Sequence, residues 1–137
     1  EHPESVAAYR CNYMIKDGPR SLAPYATWPH AQERGPSANL FPTGSGGILY
    51  PPGSLSSEVT DREAFMKLCP AADDVWFKAM ALRQGTETLM VREQSVQFPT
   101  LKRAQRHALY RRNVDQAHND VQLHAVFEQY DLFGRVM

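Results

Sequence analysis

The chain has 137 residues, enough for one domain that buries roughly two-thirds of the surface its unfolded form exposes. Hydrophobic residues make up 42% and charged residues 22%, and 15 basic residues balance 15 acidic ones, so no global field draws the chain to nucleic acid. No apolar run approaches the ~20 residues of a membrane span, and Glu1-His2-Pro3-Glu4 is neither a basic leader nor an apolar signal core, which points to a soluble cytoplasmic protein.

The first residue is Glu, so the chain reads as a processed product or an excised piece. Val6 to Ile15 is rich in β-formers and stops at Asp17-Gly18-Pro19, which predicts a strand ending in a turn. Residues 19–43 carry Pro19, Pro24, Pro29, Pro36 and Pro42 without a sustained period, the pattern of a long irregular loop with room for binding. Gly44-Ser45-Gly46-Gly47 opens into a short strand at Ile48-Leu49-Tyr50, and Pro51-Pro52-Gly53 suits a type II turn. Thr60-Asp61-Arg62-Glu63 has the spacing of a helix start, with Ala64, Phe65 and Leu68 on one face.

Asp73-Asp74 begins the strongest helix signal. Val75, Trp76, Phe77, Ala79, Met80 and Leu82 make it apolar nearly all round, Gly85 can end it, and a strand is predicted over 86–91. Residues 101–113 form a basic loop, and 115–130 form a last helix with Leu123, Val126, Phe127 and Tyr130 as its stripe. The order predicts an α/β domain with a mixed sheet and flanking helices, without a regular βαβ repeat.

Two chemistries compete at Asp73 and Asp74. They can cap a helix and favour its positive end, or aim an ionised carboxylate into a cleft as a general base. The 44–47 loop can be a nest of amides for a phosphate or sugar, or a tight lead into a strand that needs positive φ. Trp28 and Trp76 can stack on sugar rings or fill the core. Cys11 and Cys69 lack metal-ligand spacing and read as buried thiols. His118 and His124 lie six residues apart, off one helical face, and form no site.

The run from Phe41-Pro42-Thr43-Gly44-Ser45-Gly46-Gly47-Ile48-Leu49-Tyr50-Pro51-Pro52-Gly53, with Phe65, Leu68-Cys69-Pro70 and Ala72-Asp73-Asp74-Val75-Trp76-Phe77-Lys78-Ala79-Met80, resembles bacterial glycosyltransferases related to family two. The likeness is densest over 41–82 and extends weakly to Pro24-Tyr25, Trp28 and Asn119-Asp120. It implies a partial GT-A-like (Rossmann-related) domain, the acceptor-side half, with Asp74 as the catalytic base and Asp73 as its positioning neighbour. Relatives carry Glu-Asp where this chain has Asp-Asp, so the two roles could be exchanged. Gly44, Ser45, Gly46, Gly47, Trp28 and Trp76 are the implied acceptor-binding residues.

The resemblance further implies a nucleotide-sugar donor, a glycan acceptor and a Mg²⁺ or Mn²⁺ ion held by an Asp-x-Asp motif in the other half. No Asp-x-Asp occurs in this chain, so the donor-binding half is absent, no metal ligand is assigned, and the chain alone is expected to be inactive. Loop 101–113 could grip a lipid-linked phosphate or the inner face of the membrane, and an unpaired sheet edge could support a homodimer. The alternatives are a noncatalytic carbohydrate-binding or assembly module, and a plain interaction domain whose Asp-Asp is only a cap.

Overall fold

In the computed structural model, residues 2, 4–32, 35–94, 99 and 118–137 are described. The opening β-rich run is not one strand. It divides into β1 (Val6–Ala8) and β2 (Cys11–Tyr13), with Tyr9 and Arg10 between them. The break has a tertiary cause. The Tyr9 amide donates to the Gly47 carbonyl at 3.4 Å, and the Thr43 amide donates to the Arg10 carbonyl at 3.0 Å, so these two residues serve the 43–47 turn instead of continuing a ladder.

Short strands follow. β3 (Lys16–Gly18) and β4 (Ser21–Leu22) form a hairpin whose turn includes Pro19, and β5 (Leu40–Pro42) pairs antiparallel with β2, placing Asn12 opposite Phe41. β6 (Ile48–Leu49) and β7 (Thr88–Met90) flank β1 in a mixed three-stranded sheet, β6 antiparallel and β7 parallel. Side chains alternate across it. Val6, Ala8, Thr88 and Met90 are buried on one face, while Ala7 faces outward with Leu89 and the exposed Leu49.

Three α-helices lie among the described residues. α1 (Arg62–Leu68) starts at Asp61, whose carboxylate accepts the Ala64 amide at 3.0 Å, so the cap is Asp61 and not Thr60. α2 (Asp73–Gln84) ends at Gly85, whose φ of +82° is the left-handed conformation glycine tolerates. α3 (His118–Gln129) buries Leu123, Val126 and Phe127 of the expected stripe, but Tyr130 lies beyond the helix end and is only half-buried. Residues 101–113, and the first residues of the expected 115–130 helix, lie outside the described residues.

α2 is the centre of the core. It packs against α3, against the single 3₁₀ turn at Ser57–Thr60 and against β5, which is why apolar side chains surround it. The interior joins Phe41, Trp76, Phe127 and Phe133, all at most 2% exposed. Truncating one such ring, as in Phe127→Ala, costs about 3–5 kcal/mol. The Trp76 indole N–H reaches the Val59 carbonyl at 3.0 Å and satisfies the one polar atom this ring buries. The result is a mixed α/β arrangement of small sheets and helices. Among the described residues no helix is long and apolar enough to cross a membrane.

Candidate functional site

α2 begins abruptly because the residues before it are tied down. The Cys69 thiol donates to the Ala72 carbonyl at 2.9 Å, closing a turn around Pro70, and the Ala71 amide donates to Gln122 of α3 at 2.9 Å. The chain therefore enters the helix at a fixed angle. The residue at the cap position is Ala72, which has no side chain to cap with. Asp73 and Asp74 are the first two helical residues instead, and each carboxylate accepts the next amide, Asp74 to Asp73 and Val75 to Asp74, both at 3.0 Å.

The two carboxylates differ in setting. Asp73 is exposed and borders a cleft of about 220 Å³ lined by Val59, Arg62, Phe65, Trp76 and Phe77 among others. Asp74 is half-buried, and the Gly44 amide of the glycine turn donates toward its carboxylate. Burial first, and the neighbouring Asp73 charge second, push its carboxyl up from 3.8 to about 6, although the Val75, Asp74 and Gly44 amides pull the other way. A carboxylate that served only as a helix cap would be held down by those amides and by the helix field. At Asp74 desolvation outweighs both.

The Gly44–Gly46 turn is a single 3₁₀ turn. Gly46 donates to the Thr43 carbonyl at 3.2 Å and Gly47 to the Gly44 carbonyl at 3.1 Å, so two of the amides of the expected nest are taken up by the turn itself. The positive-φ reading holds at Gly47, which has φ +86° and leads into β6. Gly46 is needed for proximity, since a Cβ there would stand 2.9 Å from the Arg10 Cβ.

Asp73 and Trp76 line the cleft, whereas Asp74 and residues 44–47 are not among its lining residues; Gly44 neighbours the Asp74 carboxylate instead. Trp76 itself is 2% exposed, so it floors the cleft without offering a free ring face. Trp28 stands apart from this group. Its indole N–H donates to the Ala23 carbonyl at 2.9 Å, and its ring lies 5.0 Å from Tyr25 and 5.5 Å from Phe41, enclosed in the core. The irregular loop that carries it folds inward because three aromatic rings can bury one another there.

Four neighbours escaped sequence reasoning as site residues. Tyr50 follows β6 and feels the charges of both Asp74 and Asp73, and its hydroxyl is buried without a partner. Burial foremost, then those charges, raise its pKa far above the ordinary phenol value. Cys69 sits near Asp74, and burial pushes its thiol up to about 12, so it stays protonated and unreactive. Lys78, one turn beyond Asp74, is 1% exposed, and its amine donates to the Thr88 hydroxyl at 3.3 Å, tying α2 to β7. Arg10 packs on the glycine turn. The signals were a lone cation inside a β-rich run for Arg10 and, for Lys78, a cation in the middle of the apolar stretch Val75–Leu82.

No three His, Cys, Asp or Glu side chains among the described residues come together to hold a metal ion. Asp73 and Asp74 each spend one oxygen on a backbone amide, and their contiguity does not provide the octahedral oxygen set that Mg²⁺ or Mn²⁺ requires. The residues present do not fit a resident divalent ion. No family model, curated protein or solved structure matches the chain.

Proposed function

We propose that this chain is the acceptor-side, base-carrying part of a partial GT-A-like enzyme that transfers a sugar from a nucleotide-sugar to a hydroxyl of a glycan or cell-surface acceptor. The observation that carries the reading is the setting of Asp74: a carboxyl raised to about 6 by burial and by the adjacent Asp73, which itself borders the cleft. At neutral pH such a group is about nine-tenths ionised, yet it is roughly a hundredfold more basic than an ordinary carboxylate. That combination suits a base that must take a proton at pH 7.

In this reading Asp74 removes the proton of the acceptor hydroxyl as its oxygen bonds to the anomeric carbon. The bond from that carbon to the donor's diphosphate breaks, and the nucleoside diphosphate leaves with the electron pair. Asp73, exposed on the cleft rim, orients the acceptor. The half-buried rings of Phe65 and Phe77 give the cleft an apolar wall suited to the C–H face of a sugar ring. The resemblance over residues 41–82 supports the same assignment.

The test is sugar transfer by a polypeptide in which a donor-binding half accompanies this chain. Asp74→Asn is expected to cut turnover by ~10²–10⁴ while leaving acceptor binding intact. Asp73→Asn is expected to raise KM for the acceptor more than it lowers kcat. Turnover of Asp74→Asn within a few-fold of wild type would remove the base assignment and leave a carbohydrate-binding module.

A further inference from the structure

The corner formed by Arg10 and the glycine turn has more polar capacity than the protein itself uses. Arg10 lies between β1 and β2, and its carbonyl accepts the Thr43 amide at 3.0 Å. Gly46 closes over its Cβ, so the turn and the arginine stem are one packed unit. The guanidinium has five N–H donors, and a single long bond from Nη1 to the Ser45 hydroxyl, at 3.4 Å, is the one it makes among the described residues. No carboxylate of the described residues pairs with it; Arg20 and Arg83, by contrast, meet Glu128, Asp131 and Glu58. Beside it, Arg10 Nε and Thr43 Oγ1 are buried with no hydrogen-bond partner, and Thr43 is 6% exposed.

Each of these buried atoms costs free energy when unpartnered. A planar guanidinium fork next to the Ser45 hydroxyl matches the tetrahedral oxygens of a phosphoryl group better than any neutral ligand. Two of the turn's amides, Gly46 and Gly47, are committed to the turn itself, so the guanidinium is the group that supplies the charge. We infer that Arg10, Ser45 and Thr43 form a phosphate-binding corner adjoining Asp74, which takes a phosphate ester or diphosphate through the Arg10 guanidinium. The Gly44 amide toward Asp74 places the corner next to that carboxylate. A phosphoryl group bound there would be either the diphosphate of a nucleotide or the phosphate of a lipid carrier; both present the same oxygens.

The inference stands apart from sugar transfer, because binding is read without turnover. The full chain is titrated with inorganic pyrophosphate at low ionic strength and pH 7.5, followed by calorimetry and by amide shifts of Gly44 to Gly47. Saturable binding is expected, weakened at least about tenfold by Arg10→Gln and less by Arg10→Lys, which keeps the charge but loses the fork. Arg20→Gln, whose partners lie elsewhere, is expected to leave it unchanged. If Arg10→Gln does not fold, Arg10→Lys and Ser45→Ala carry the comparison. Parallel titrations with a nucleoside diphosphate and with a short-chain alkyl phosphate identify the source by which one binds more tightly than pyrophosphate. Absence of saturable binding, or folded Arg10 variants that bind as tightly as wild type, would overturn the inference. Failure of Asp74→Asn to slow turnover would leave it standing.

Discussion

Replacing Asp74 by asparagine separates a functional carboxylate from a structural one, because the two roles predict opposite changes in stability. Moving a carboxyl from 3.8 to about 6 on folding means that the folded state resists ionisation by about 3 kcal/mol. The folded pKa is raised, so the contribution of Asp74 is fully present below pH 3.8 and is lost as the pH rises through about 6. Asparagine keeps the acceptor oxygen that the Val75 amide uses and carries no charge to desolvate. Its buried NH₂ group returns about 1 kcal/mol of the gain if it finds no partner. The net expectation is a stabilisation of about 2 kcal/mol at pH 7.5, or about 5–8 °C in Tm for a chain of this size. At pH 4 the advantage should vanish. Thermal unfolding of both proteins at matched pH between 4 and 8 reads the difference directly, and titrations elsewhere in the chain cancel in it. A variant that is equally stable or less stable than wild type at pH 7.5, by an amount independent of pH, would show that Asp74 is a helix cap.

Further outcomes follow from the same contacts. Burial pushes the Lys78 amine down to about 7, so its protonated form is costly in the fold. That cost is fully felt below pH 7 and fades as the pH rises toward 10.5, so Lys78→Met should raise Tm more at pH 6 than at pH 10. Three glycines of one turn should respond differently in urea unfolding. Gly47→Ala, at φ +86°, should cost about 1–3 kcal/mol, and Gly46→Ala a similar ~1–3 kcal/mol by driving a methyl into Arg10. Gly44→Ala meets nothing within 4 Å and should stay within ~0.5 kcal/mol. Tyr50→Phe deletes a buried hydroxyl that has no partner, so Tm should hold or rise; a marked drop would reveal a hydrogen bond there.

Local signals were the legible ones. The start of α2 at Asp73, its end at Gly85, the Pro52-Gly53 turn and the Leu123, Val126 and Phe127 part of the α3 stripe each depend on residues within a few positions of one another, and each is found. What the sequence hid depends on partners far along the chain. Nothing within Val6 to Ile15 says that Tyr9 and Arg10 will leave the ladder to hold residues 43 and 47. Trp28 lies in a proline-rich loop and reads as available for a ligand, yet Phe41 and Tyr25 enclose it. Lys78 interrupts an apolar helix, and only the position of Thr88 across from it explains how its amine is accommodated. Asp73 and Asp74 are adjacent letters with the same chemistry; the split between an exposed rim carboxylate and a half-buried one arises from the side of α2 each occupies.

The most direct measurement is the titration of Asp74 itself, followed by carboxyl ¹³C shifts in the full chain with the Gly44 amide nitrogen as a second reporter. A buried proton acceptor held by the glycine turn requires the Asp74 carboxyl to titrate near 6. The Gly44 amide shift should move with the same midpoint, because it lies beside that carboxylate. A midpoint near the ordinary 3.8, with a Gly44 amide that ignores the transition, would contradict the account.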